Sequence, residues 1–182
     1  RGDSFLTNLT QPTQIEMDIS LNEIFKRSQA RYNLLFEDQF VVFSPETFVR
    51  IQDGIIYSHP MKGTQKNDNA NAETALFNNP KELAEHATIV DLIRNDLSRF
   101  AQKVKVDKFR YLEPVVTHHG QLLQMSSQIS GTLADNYPGL IGDLIFGMLP
   151  AGSVTGAPKA QTLQLIAKAE NYDRGYYTGV FG

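Results

Sequence analysis

"NNPKELAEHATIVDLIRNDLSRFAQ", residues 78–102, runs straight into "KVKVDKFRYLEPVVTHHGQLLQMSSQISGTL", residues 103–133. The first stretch opens with Asn79 as an N-cap, Pro80 at the first helical position and Glu82 three residues after the cap. Leu83, Ala87, Val90 and Leu97 then recur at helical spacing. The second stretch has the alternation and the Val, Phe and Tyr content of strands. Upstream, "YNLLFED", "FVVFSPE" and "TFVRIQDGIIYSHP" (residues 32–60) read as strands broken by Asp-Gln and Asp-Gly turns. A short amphipathic helix over residues 20–31, capped by Ser20, precedes them. Residues 65–73 read as a polar, mobile surface loop, residues 137–148 as a second helix, and residues 157–170 as a third, started by Pro158. Helices and strands come in blocks, so the class is α+β rather than a doubly wound parallel sheet.

With 182 residues, 41% hydrophobic and 20% charged, the chain has the composition of a soluble globular protein. A net charge of -3 argues against a nucleic-acid partner. The absence of cysteine excludes a disulfide framework and any thiolate metal site, and fits a cytoplasmic setting. The most apolar run, residues 140–152, is too short and too interrupted to span a membrane. "RGDSFLTNLTQPTQI" has no apolar signal core and reads as a chain already in progress.

The chemistry-bearing stretches are few. "GMLPAGSV" (147–154) has glycines at P-loop spacing, but Ser153-Val154 stands where Lys-Ser/Thr would touch phosphate. No G-x-G-x-x-G is present. What remains is a turn with hydroxyls at Ser153 and Thr155 ahead of a helix start, suited to an anion by hydrogen bonding and dipole alike. A simple helix cap accounts for the same residues. Glu82 and Glu85 share one helical face and are hard oxygen donors suited to magnesium, although glutamates at a helix start are commonly solvated. Asp91 and Arg94 are spaced to pair at i,i+3. Lys62 lies between Pro60 and a Gly-Thr turn; as a nucleophile it would have to be deprotonated. Glu46 could be a general acid if its pKa were raised. His86, His118 and His119 have no partners at metal-binding spacing and are read as structural.

Taken in order, "SPETF", "PMKGT", "KELAEHATIVDLIRNDLSR", "PAGSVTGAPKAQTLQLI" and "RGYYTGVFG" resemble the chorismate-utilising enzymes, and "GDSFLTNLT" resembles the entry to their catalytic region. The resemblance covers nearly the whole chain. It implies an α+β fold of two stacked antiparallel sheets with outer helices, as in anthranilate synthase component I. It also implies that residues 1–182 are the central part of a single chorismate-binding catalytic domain, lacking its C-terminal strands and N-terminal sheet region. The anion at "GSVTGAPK" would then be a substrate carboxylate. By the same resemblance Glu85 ligates magnesium with Glu82 in support, and Thr64, Ser153, Thr155 and Tyr177 line the substrate pocket. "P-x-K-G-T" at Lys62 matches the aminodeoxychorismate synthase branch, where most other branches carry Ala. There the lysine attacks C2 as the C4 hydroxyl leaves, ammonia then adds at C4 and expels the lysine, and Glu46 does the acid–base work. The product feeds 4-aminobenzoate and folate synthesis, and a glutamine amidotransferase subunit supplies the ammonia.

Gln124 stands where the family commonly has the His of "H-x-x-S-x-x-x-G", which puts more of the proton transfer on Glu46, since glutamine cannot shuttle a proton. "GTQKND" replaces the usual "G-T-x-P-R". The family's pocket arginine, glycine-rich turn and second magnesium glutamate would lie beyond "GVFG". Two other readings stay open: an anthranilate-type or other chorismate enzyme, and a non-catalytic chorismate-binding fragment.

Overall fold

The structure, a computed structural model, describes residues 2–68, 71–117 and 120–182. In chain order the elements are β1 (Leu6–Thr7), α1 (Leu21–Arg27), β2 (Tyr32–Phe36), β3 (Phe40–Ser44), β4 (Arg50–Gln52), β5 (Ile55–Ser58) and β6 (Met61–Lys66). Then come α2 (Ala72–Asn78), α3 (Pro80–Ser98), β7 (Gln102–Thr117), β8 (Gly120–Thr132), α4 (Ile141–Met148), α5 (Gly152–Thr155), β9 (Gly156–Ala157) and α6 (Lys159–Ala169). Short 3-10 turns cover Tyr137–Leu140 and Gly175–Thr178.

The α+β class holds, and every strand pair is antiparallel. Of the antiparallel sheets expected, incomplete in this chain, the described residues form one five-stranded sheet and two two-stranded ribbons, β1–β9 and β2–β3. β8 is the spine of the large sheet. β7 runs along one of its edges, while β5 and β6 share the other, pairing with residues 129–132 and 122–126 respectively. The Asp53–Gly54 turn joins β4 to β5 with φ of 52° and 73°, the backbone of a type I′ hairpin turn.

α3 starts as its sequence dictates: the Asn79 side chain accepts from the N–H groups of Lys81 and Glu82, at 3.0 and 3.2 Å. Its buried stripe is His86, Ile89, Val90, Ile93 and Leu97, so Leu83 and Ala87, expected on that face, point outward. The stripe packs on Ile56, Ile129 and Leu133 of the sheet side and on Leu144 and Met148 of α4. Each such side chain contributes ~1.5–3 kcal/mol on burial. A second cluster joins Ala72 and Leu76 of α2 to Leu123 and Met125 of β8. α2 begins inside the stretch expected to be loop, at residues 72–73, and runs on through residues given no element. Pro158 caps α6 rather than opening it. His118 and His119 lie outside the described residues.

Candidate active site

The alternation of β8 decides what faces the helices. Met125 meets α2, Ser127 bonds to α3, and Ile129 joins the core. Gln124, Ser126 and Gln128 fall on the alternate positions. β6 follows the same register at Met61↔Ser126 and Thr64↔Gln124, but between these pairs the ladder slips. Lys62 and Gly63 form that bulge, with Gly63 at φ 93°. A bulge inserts an extra residue and re-aims its side chain. Here it turns Lys62 toward α3, where its ammonium stands 3.8 Å from Glu85.

Glycine at position 63 suits the backbone, and a side chain there would crowd its neighbours. Its φ favours a residue without Cβ, and a Cβ there would stand 2.9 Å from Glu82 Oε2 and 3.3 Å from Leu76 Cδ1. Glu82 therefore lies over the bulge instead of being held only as a helix cap. Glu85 also pairs with Lys81 at 3.7 Å. The two glutamates present carboxylate oxygens on one helix face beside Lys62, a donor set of the kind magnesium accepts when water and substrate complete its shell. Among the described residues no group of three His, Asp or Glu side chains could hold a metal.

Glu46 follows β3 and faces α5. Burial pushes its carboxyl up to about 7, while a hydrogen bond from Ser153 and the charge of Lys62 pull the other way. The burial has a visible source: Glu46 borders a void of about 10 Å³ walled by Phe48, Ile93, Met148 and Ala151, room for one water. Ser58 and Asp96 complete its polar lining. Asp96, near the end of α3, is tied to Lys159 at 2.6 Å.

The glycine loop is built for close packing. A Cβ at Gly152 would lie 2.2 Å from Leu92 Cδ2, and one at Gly156 would lie 2.1 Å from the Leu6 carbonyl oxygen. Thr155 is buried and donates its hydroxyl to the Ala151 carbonyl, so its side chain braces the turn. Arg174 clamps the loop from outside, donating to the carbonyls of Val154 and Asn8 and pairing with Glu170. Ser153 lines the same small void as Glu46 and helps draw its carboxyl down.

The structure thus brings Lys62, Glu46, Ser153, Glu85 and Glu82 together. Thr64 donates to Gln124 at 2.9 Å, and both occupy strand positions alternating with those that face the helices. Tyr177 is 71% exposed on its 3-10 turn, well out in solvent. The Asp91–Arg94 pair forms as expected, at 2.8 Å. A separate cavity of about 350 Å³, lined among others by Arg31, Arg50 and Lys108, contains none of the expected residues.

The sequence profile of the chorismate binding enzymes matches residues 1–182. The chain belongs to the chorismate binding enzyme family. It is 51% identical over all its residues to an uncharacterized PabA-like protein of Haemophilus influenzae, of which it covers 56%. It is 31% identical to aminodeoxychorismate synthase component 1 of Bacillus subtilis, covering 40% of that protein. The crystal structure of anthranilate synthase component I from Streptococcus pneumoniae superimposes with a TM-score of 0.68 at 29% identity, over 87% of this chain and 35% of that one. The chain spans about half the length of these curated PabA-like relatives. No helix among the described residues is long and apolar enough to cross a membrane.

His86, read from the sequence of this chorismate binding enzyme as structural, is built into the fold beneath Lys62. It is fully buried, with Nδ1 3.2 Å from the Lys62 carbonyl and Nε2 2.7 Å from the Ser127 hydroxyl. Its spacing to Ser127, the Ser of "Q-M-S-S", carries no local pattern, so only the fold joins them.

Proposed function

We propose that this protein binds chorismate and, with ammonia, exchanges the C4 hydroxyl for an amino group through an adduct on Lys62. The observation that carries the reading is a bulge-directed lysine whose charge reaches a carboxyl poised near neutrality. A general acid is most effective when its pKa lies near the working pH.

Lys62 first releases the proton of its ammonium to solvent; the free amine then forms a bond to C2, the ring double bonds shift, and the C4–O bond breaks. Glu46 gives its proton to the departing hydroxyl, which leaves as water, and the resulting carboxylate takes a proton from the lysine nitrogen. Ammonia then adds at C4, the double bonds shift back, and the C2–N bond breaks. Glu46 returns the proton to the lysine and recovers one from the new C4 ammonium, so the catalyst is unchanged. Splitting one displacement into two is the usual gain of a covalent route. Ser153 stands beside the Glu46 carboxyl, where its hydroxyl favours the ionised form. Glu82 and Glu85 would hold a magnesium ion, which supplies charge neutralisation for the ring carboxylate. A separate glutaminase subunit would supply the ammonia.

Product analysis tests the reading. The full-length protein, given chorismate, magnesium and ammonium, should yield the C4-amino compound with its enolpyruvyl group retained. Anthranilate as the product would assign the protein to the other branch of the family. Binding of chorismate without turnover would make it a binding protein.

A further inference from the structure

The bulge that turns Lys62 toward α3 leaves its own carbonyl out of the β6–β8 ladder, because register is kept only at Met61 and again from Thr64 onward. A buried backbone acceptor left unpaired is costly. His86 meets it. A carbonyl can only accept, so His86 Nδ1 must carry the proton across the 3.2 Å contact. At the far side of the ring, Ser127 Oγ accepts from the Arg110 N–H at 2.9 Å and stands 2.7 Å from His86 Nε2. With Nδ1 as the donor, the neutral ring takes the Ser127 hydroxyl proton at Nε2. The Ser127 N–H in turn donates to the Pro60 carbonyl at 3.0 Å. Both ends of the segment that carries Lys62 are therefore tied to β8: Pro60 directly and Lys62 through the imidazole.

We infer that His86 is a positioning residue for the reaction at Lys62, setting the backbone of the bulge and hence the direction of the amine. The inference rests on the adduct chemistry proposed above. It assigns His86 no contact with substrate. The ring is 0% exposed and packs edge-on against Phe109, with ring centroids 5.8 Å apart. This site therefore cannot be the substrate's, and its effect passes through the peptide unit of Lys62. Misplacing a reacting group by about 1 Å costs roughly 100-fold in rate, which sets the scale expected from losing the anchor.

The experiment compares His86→Asn, His86→Gln and Ser127→Ala in the full-length protein. Each is mixed with chorismate and magnesium but no ammonia, following Lys62 adduct formation by intact mass and chorismate affinity by fluorescence titration. Asparagine places an N–H where Nδ1 stood, whereas glutamine reaches toward Ser127 and leaves the Lys62 carbonyl unpaired. His86→Asn should form the adduct within a few-fold of the wild-type rate. His86→Gln should be slower by roughly 100-fold, with chorismate affinity changed less than a few-fold. Ser127→Ala frees the ring to turn and should be slowed by about ten-fold, within the range for losing one hydrogen bond.

A merely structural histidine would make the two amide variants lose adduct rate in step with their melting temperatures, and that result overturns the inference. Wild-type rates in His86→Gln or Ser127→Ala overturn it as well. If the histidine variants do not fold, Ser127→Ala alone decides. Absence of any adduct on the wild-type protein defeats the parent proposal instead, and so is distinguishable.

Discussion

Replacing Glu46 by Gln removes a carboxyl that folding holds in its protonated form. The carboxyl rises from 4.5 to about 7, chiefly through burial. Each pKa unit corresponds to ~1.4 kcal/mol, so the difference amounts to about 3 kcal/mol. The sign follows from proton counting: between pH 4.5 and 7 the native state holds a proton that the unfolded state has released. Stability from this group is therefore full below about 4.5 and is lost as pH rises through 7. Wild type and Glu46→Gln should be similar in urea unfolding at pH 4.5. By pH 8, with chelator present, the variant should be more stable by up to about 3 kcal/mol. Glutamine keeps the shape and can still accept from Ser153, so packing changes little. In difference infrared spectra the wild-type carboxyl band should fade between pH 6 and 8 and be missing from the variant. A stability difference flat across this window, or a carboxyl that ionises near 4.5, would mean that burial does not hold Glu46 protonated. The variant should also lose adduct formation at every pH, whereas wild-type adduct formation should slow above pH 7.

Other outcomes follow from the same geometry. Gly63→Ala meets both the φ of 93° and the Glu82 oxygen; it should lower stability by roughly 1–3 kcal/mol in denaturant melts and slow adduct formation. Asp96→Ala leaves the Lys159 ammonium, 19% exposed, with only the Met148 carbonyl; a loss of about 3 kcal/mol in unfolding free energy is expected. Arg174 holds the Glu170 carboxyl down to about 2, so the clamp on the glycine loop should persist above pH 4.5 and release as pH falls through 2. Proteolytic nicking near Val154 would report that release. If Glu82 and Glu85 hold magnesium, chelation should abolish turnover and Glu85→Gln should raise the magnesium required.

Much of the fold was legible because its signals are local. The Asn79–Pro80 start of α3, the Ser20 cap of α1 and the Asp53–Gly54 turn each need only neighbouring residues, and each forms as read. α2 was hidden because only Ala72 and Leu76 are buried along it, two positions too few to show a period beside "QKNDNANAE". The β1–β9 pairing joins residues about 150 apart over two positions per strand, and no local pattern announces it. The outward turn of Leu83 and Ala87 has a similar cause: His86 takes the buried position at the start of the stripe, and a polar residue there breaks the apparent apolar period.

The site was legible to the same degree. Lys62, Glu46, Glu85 and Ser153 carry functional groups that announce themselves, and the fold gathers them. Thr155 looked like a pocket hydroxyl but spends its proton on the Ala151 carbonyl. The glycines of its loop look like an anion cradle in the sequence, whereas Gly152 and Gly156 are there because Leu92 and Leu6 pass too close for a side chain. His86 reads as structural, but what it holds could not be seen. Its partners are a backbone carbonyl 24 residues away and a serine 41 residues away.

The proposed chemistry turns on Lys62 acting as the nucleophile. The direct test is intact mass of the full-length protein after incubation with chorismate and magnesium in the absence of ammonia, followed by peptide mapping. A gain equal to chorismate less one water, mapping to Lys62 and lost in Lys62→Ala, is the predicted result. Turnover of chorismate with ammonia by Lys62→Ala at the wild-type rate, with no adduct on either protein, would contradict it.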